Sequence, residues 1–304
     1  MNREPSAVNR QHISVCICTY KRPQMLARLL SELEEQETQS LFDYSIVIVD
    51  NDAAESARQT VESWSRQSKN SIKYCVEPEQ SIALARNRAV ENARGDFIAF
   101  IDDDEFPAEN WLLDLFKAYN EFKTDGILGP VLPHYETKPP EWVIKGKFYE
   151  RPSHKTGTIL DWTNTRTGNV LLRRDLFDGR DNMFRPEFGS GGEDRDLFRR
   201  LIGQGCQFAW CAEAPVFEVV PPERCKRSFM LRRALLRGKT PSNRNGGSYL
   251  KSLIAIPSYT LALPFLLCTS QHSFMKCLIK CFDHVGRILA FVRVHVVKEK
   301  YVVK

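Results

Sequence analysis

The chain has 304 residues, 42% of them apolar, enough for one large domain or two ordinary ones with real cores, which excludes a disordered chain. Its formal charge of +5 is unevenly spread: up to Pro222 there are 27 Lys and Arg against 35 acids, net −8, whereas Glu223 to Lys304 has 16 against 3, net +13. The basic end asks for an anionic surrounding; its long apolar runs and lack of a recognition motif argue against nucleic acid and for a membrane surface.

The opening MNREPSAVNRQH is polar and has no apolar core segment, so it does not read as a secretory signal. Nine cysteines, mostly inside apolar runs, suit a reduced cytosolic protein rather than a disulfide scaffold. Cys16-x-Cys18 and the Cys277/Cys281 pair lack a second half, which argues against zinc.

In chain order, ISVCICTY reads as a buried strand, and Pro23 then opens a helix in which Met25, Leu26, Leu29, Leu30 and Leu33 recur at helical spacing. YSIVIVDN and a polar helical stretch from Ala54 to Gln67 repeat the unit. SIKYCVEP and SIALARNRAVENARG repeat it again, with Gly95 as a helix stop. A fourth strand, FIAFID, leads into four consecutive acids, Asp102 to Glu105, and a helix from about Pro107 to Phe122. Four such units predict an α/β fold, a mostly parallel sheet covered by helices.

Beyond Gly126 the segments shorten: GILGPVLPHY, a Pro- and aromatic-bearing stretch from Trp142 to Tyr149, and the strand-like GNVLLRR. FGSGGEDRDLFRRLIGQGCQFAW predicts a glycine loop followed by a helix beginning near Glu193 and Asp194, where a carboxylate is tolerated at the helix N-terminus. PPERCKRSFMLRRALLRGK reads as a basic amphipathic helix. Leu253 to Cys268 is uncharged and apolar but broken by Pro257 and Pro264, slightly short for a spanning helix; LIKCFDHVGRILAFVRVHVVK follows. These segments predict a tail lying in or dipping into a membrane interface, the competing reading being a small helical core packed on the main domain.

In such sheets ligands sit beyond the carboxyl ends of the strands, so Thr19, Tyr20, Arg22, Asp50, Asn51, Asp52, Glu77 and Asp102 to Glu105 are expected on one edge. No strand is followed by the spaced glycines of a dinucleotide or phosphate loop. Alternating acids such as Asp102 and Asp104 make oxygen ligands for a hard divalent cation, Mn²⁺ or Mg²⁺, shared with a substrate diphosphate. A second carboxylate could then take a proton from an attacking hydroxyl.

VCICTYKRP, IVIVDN, ALARNRAVENARGDFIAFIDDDE and GGEDRDLFRRL, in that order from Ile13 to Arg237, resemble the successive motifs of the family 2 inverting glycosyltransferases. The resemblance implies the GT-A fold over residues 13–240, after an N-terminal tail of residues 1–12 and before a basic, apolar helical extension of residues 241–304. It implies a nucleotide site made by Thr19, Tyr20 and Arg22 for the base, Asp50 for uracil or ribose, Arg86 and Asn87 lining the pocket, and Asp102 and Asp103 around the nucleotide and metal. Asp104 falls on the direct metal ligand, with Asp102 beside it, and Asp194 on the catalytic base with Glu193 as alternate. Two departures stand out. DNDAAE replaces the more usual Asp-Asp-Gly-Ser, and Glu218 in VFEVVPPER stands near where many members place a metal-binding His, with His134 a more distant candidate. EVVPPER together with GGED is similar to bacterial exopolysaccharide transferases of the succinoglycan type.

The implied activity is transfer from a nucleotide-diphosphate sugar, UDP-sugar first, to a hydroxyl of a saccharide or lipid-linked saccharide in cell-surface polysaccharide synthesis. It would take place on the cytosolic face of the inner membrane. A metal-dependent phosphoryl-transfer enzyme or nucleotide-sugar hydrolase would use similar acids and is the alternative.

Overall fold

The computed structural model describes residues 10–180, 182–189, 191–237 and 247–292. The helix-strand units run as β1 (Gln11–Thr19), α1 (Pro23–Glu34), β2 (Phe42–Asp50), α2 (Arg58–Ser65), β3 (Ile72–Val76), α3 (Ile82–Asn92), β4 (Phe97–Ile101), β5 (Glu105–Pro107) and α4 (Trp111–Phe122). Shorter pieces follow: β6 (Gly126–Leu128), β7 (Val131–His134), α5 (Glu141–Lys145), β8 (Asn169–Arg173), α6 (Glu193–Gly203), β9 (Phe208–Trp210) and β10 (Val216–Val219). Three helices close the described chain, α7 (Arg227–Arg237), α8 (Gly247–Thr269) and α9 (Gln271–Phe291).

Seven strands form one sheet in the order β3-β2-β1-β4-β8-β6-β9. The pairs β1–β2, β2–β3, β1–β4 and β6–β9 are parallel, while β8 runs antiparallel to both neighbours. Helices cover both faces, which is why the strands read as continuous apolar runs; all five residues of β4 are buried. On one face lie Leu26, Leu29, Leu30 and Leu33 of α1 with Trp111, Leu112 and Phe116 of α4. On the other lie Ala83, Ala85 and Ala89 of α3 with Leu197, Phe198 and Leu201 of α6. Three alanines leave α3 short side chains against the sheet, so its buried face can also hold Arg86 and Asn87.

The α/β, mostly parallel expectation holds, with local corrections. α2 begins at Arg58 rather than Ala54, because the Asp50 carboxylate accepts the N–H groups of Asp52 and Ala57 and fixes the intervening loop. α4 begins at Trp111 rather than Pro107, because Glu105–Pro107 pairs with β10 as a strand.

The described chain divides into two compact units, residues 10–132 with 151–218, and residues 133–150 with 219–292. The second unit thus takes in more than the 241–304 extension. Its core contains Val143, Val220, Cys225 and Met230, with Ile279 of α9 packed against them. Within this unit α9 packs on α7 and α8, and a Cβ on Gly286 would come 2.4 Å from the Leu235 carbonyl, so the crossing tolerates no larger residue. Arg237 and Asp283 bridge the same two helices at 3.1 Å.

α8 is one helix through both Pro257 and Pro264, not the broken segment the sequence suggests. Each proline removes one main-chain donor, and in the turn around Pro257 the hydroxyls of Ser258 and Thr260 donate to the Ile254 and Ile256 carbonyls. Its stretch Leu250–Thr269 is long and apolar enough to cross a membrane, and only 6% of it is buried. Leu253, Ile254, Leu261, Phe265 and Leu267 are all exposed, so α8 is not a packed core helix. The same unit has a cavity of about 570 Å³ whose lining includes Lys138, Trp142, Lys226 and Arg227 and no acid.

Candidate active site

The carboxyl ends of β1, β2 and β4 and the N-terminus of α6 bring the predicted residues to one edge of the first unit, tied together by arginines. Arg22, just before α1, donates from Nη1 to Asp103 Oδ1 at 2.8 Å and pairs with Asp104 at 3.2 Å, while Thr19 Oγ1 donates to Asp103 Oδ2 at 2.8 Å. Burial pushes the Asp103 carboxyl up to about 6, and Asp104 adds to this, against Arg22 and Thr19, which favour the charge.

Arg86, on α3, is the central tie. Its Nη1 donates to Glu193 Oε1 and its Nη2 to Asp102 Oδ1 at 3.1 Å, so one buried guanidinium joins the acids after β4 to the first turn of α6. Burial opposes its charge, yet Glu193 and Asp102 together outweigh burial and hold it firmly protonated. Asp102 keeps a side chain 43% exposed, whereas Asp104 is at 11%.

Glu105 is almost fully buried, and its Oε2 accepts the Asp102 N–H at 3.1 Å. Burial, then Asp102 and Asp104, push its carboxyl well above the usual range. A Cβ on Gly168 would lie 2.9 Å from Glu105 Oε1 and 3.1 Å from Asp102 Oδ2, so any side chain on the chain entering β8 would press on both carboxylates. The next residue, Asn169, anchors that entry by receiving the Trp111 indole N–H and donating to the Pro130 and Ala214 carbonyls.

The structure separates residues that the sequence grouped. Asp50 has no exposed surface, and the Asp52 and Ala57 N–H groups and the Tyr74 hydroxyl donate to its oxygens, so its carboxylate is turned to the loop after β2 in this structure. Asn87 is likewise spent on Phe184 N–H, the Phe184 carbonyl and Asn182, holding the loop before α6. Tyr20, with Lys21 above its ring at 5.1 Å, remains half-buried at the edge. Glu193 is buried against Arg86, whereas Asp194 is half-buried and accepts only the Arg195 N–H at 2.7 Å among the described residues. Of the two, Asp194 is the carboxylate with room to receive a proton. Gly192, at φ +96°, turns the chain into α6.

For the metal, β10 pairs antiparallel with β5 so that Glu218 stands opposite Glu105, next in chain to Asp104. Glu218 is paired with Arg151, and Asp102, Asp104 and Glu218 do not converge as a three-ligand group among the described residues. His134 lies on β7. Two hard carboxylates, Asp102 and Asp104, nevertheless suit Mg²⁺ or Mn²⁺, which takes one or two protein carboxylates and completes its shell with substrate phosphates. Sequence reasoning missed Arg151, which neutralises Glu218, and Gly168, which clears space beside Asp102. The glycine had a legible signal, standing directly before a strand that enters the acid cluster.

A family model described as "Glycosyl transferase family 2" matches residues 14–179. Succinoglycan biosynthesis protein ExoM of Rhizobium meliloti is 35% identical over 233 residues, 75% of this chain and 74% of that protein. Chondroitin synthase of Escherichia coli is 26% identical over 69% of this chain but only 35% of its own length. The crystal structure of Staphylococcus aureus TarS 1–349 in complex with UDP aligns at a TM-score of 0.55 with 17% identity, over 96% of this chain and 94% of that one, a likeness of fold. The UDP-GlcNAc complex of the same protein aligns at 0.53.

Proposed function

Since the chain belongs to glycosyl transferase family 2, we propose that it moves a sugar from a UDP-sugar, with inversion, to a hydroxyl of a saccharide or lipid-linked saccharide in cell-surface polysaccharide synthesis. The observation that carries this reading is the Arg86 bridge: it locks the acids of the donor edge to the helix turn that presents Asp194, the two parts that single displacement needs. The relative in succinoglycan synthesis and the TarS complexes with UDP and UDP-GlcNAc support the pathway class and the donor.

Asp194 takes the proton of the acceptor hydroxyl as its oxygen attacks the anomeric carbon from the side opposite the diphosphate. No covalent sugar-enzyme step is required when configuration inverts. Asp102 and Asp104 would hold a divalent cation, which when bound neutralises charge gathering on the departing diphosphate. Arg86 orients Asp102, Arg22 holds Asp103 and Asp104 in place, and Glu193 fixes Arg86 rather than moving protons itself. The exposed apolar face of α8, the cations around the cavity of its unit and the +13 end of the chain support action at an anionic membrane surface.

The test is a screen of UDP-, GDP- and dTDP-sugars, with and without Mn²⁺ or Mg²⁺, reading nucleotide release in the presence and absence of saccharide acceptors. Acceptor-stimulated UDP release is expected. Asp194→Asn should lower transfer by about 10²–10⁴-fold while leaving UDP binding in place. Undiminished release without any acceptor favours the hydrolase reading, and near-normal transfer by Asp194→Asn removes it as base.

A further inference from the structure

The donor acids are matched by Arg22 and Arg86, but one arginine within electrostatic reach of Asp194 pairs with no acid. Arg166, in the segment that leads through Gly168 into β8, is half-buried, and its guanidinium makes no ion pair or hydrogen bond with any described residue. It lines a narrow cleft of the first unit, about 10 Å³ and so wide enough for a single oxygen of an anionic group, with Arg151, Asn164, Trp210, Gly129 and Val131, and no carboxylate lines it. Burial, then Arg151, lower its hold on the proton, while Asp194 and Glu218 act in the opposite sense, which places both acids within its electrostatic reach. Arg151 is already neutralised by Glu218. Trp210 adds a second, independent sign: it is 5% exposed, and its indole N–H has no hydrogen-bond partner. The Oγ1 of Thr167, beside Arg166 in the chain, is also buried and unpartnered. Buried donors left unpaired beside a half-buried cation are costly, and a planar guanidinium fork matches phosphate and carboxylate oxygens.

We propose that Arg166, with Arg151, Asn164 and Trp210 around it, binds an anionic group of the acceptor, a phosphoryl or carboxylate group, and so holds the acceptor next to Asp194. The proposal rests on Asp194 being the acceptor-side base. It assigns the acceptor rather than the donor because Asp102, Asp103 and Asp104 are already matched by Arg86 and Arg22 and face the opposite charge problem. The acceptor class is therefore acidic: a phosphate- or diphosphate-linked saccharide, or a chain bearing a uronate or other acid sugar.

The experiment titrates the full chain first with UDP, then, at saturating UDP, with phenyl phosphate, glucuronate and neutral methyl glucoside, for wild type, Arg166→Gln and Arg166→Lys. The expected result is that at least one anion binds the wild type and methyl glucoside does not. Arg166→Gln should weaken that anion about tenfold or more, Arg166→Lys should restore part of the loss, and UDP affinity should be equal in all three. Thermal midpoints show whether the variants are folded, and Arg166→Lys keeps the comparison informative if Arg166→Gln is not. The phosphate and carboxylate arms separate the two sources of charge. Unchanged anion binding in a folded variant, no anion binding by wild type, or a fall in UDP affinity on losing Arg166 overturns the proposal. Absence of UDP binding in the first titration tells instead against the donor reading, and the anion titration is then run without UDP and judged by the same criteria.

Discussion

Arg86 and Glu193 show how a buried ion pair constrains a site. Both side chains are nearly inaccessible, and Glu193 Oε2 has no partner, so removing the cation would strand a carboxylate away from water. Arg86→Ala should therefore destabilise the protein by roughly 3–5 kcal/mol, read in denaturant unfolding, with activity lost alongside. A loss confined to activity would mean that the pair is not structural. Asp103 gives a pH signature. Its folded carboxyl, pushed up to about 6, binds a proton that the unfolded chain releases near its ordinary value of 3.8. Stability from this group is therefore largest at low pH and declines as pH rises from about 4 to about 6, then stays level. In metal-free, nucleotide-free protein, Asp103→Asn should flatten that part of the melting temperature profile; an unchanged slope assigns it to other groups. Gly168→Ala would press a methyl group against Glu105 and Asp102, and transfer should fall with the fold retained.

Elements were legible where one period dominates over a dozen residues. The leucines of α1 and the apolar runs of β1, β2 and β4 announce themselves, because burial on two faces leaves no polar alternation to confuse. What the sequence hid were effects of single side chains on local backbone: the Asp50 carboxylate that delays α2, and a three-residue β5 that delays α4. The same limit applied at the site. The motif order brings the acids of the edge together in the chain, but which ones face outward depends on Arg22, Arg86 and Arg151, partners distant in sequence. α8 runs on through two prolines that read as breakers in the sequence, because each removes one main-chain donor while the neighbouring turns keep theirs. At about 34 Å for 23 residues, α8 is long enough to cross or to lie along a bilayer. Leu261→Asp with Phe265→Asp should shift the protein from anionic vesicles to the supernatant in sedimentation without changing its melting temperature, since both side chains are exposed.

At the scale of the whole molecule, the charge split of −8 and +13 follows chemistry: the acidic part carries the donor edge and the basic part carries the apolar helix. Truncation after α7 would be a poor probe of membrane contact, because α9 packs on α7 in the same unit and its loss would uncover the buried Met230 and Ala234. Point variants on α8 avoid that confusion. Salt should weaken vesicle binding of the intact chain, since the Debye length shrinks from about 10 Å at 0.1 M to about 3 Å at 1 M, and binding insensitive to salt would leave only the apolar face responsible.

The pairing of Glu218 with Glu105 makes the connection from β9 to β10 a ruler. Ala214 and Pro215 are pinned by Asn169 and by the Ala108 N–H, so residues 212–215 have no slack. A strand alternates its side chains, and shifting β10 by one residue would turn Glu218 to the opposite face and bring Phe217 or Val219 into its place. Single-residue deletions across 212–215 should thus abolish activity in a chain that still folds, while substitutions at the same positions are tolerated: the length of this loop, more than its composition, is what natural variation is expected to leave untouched.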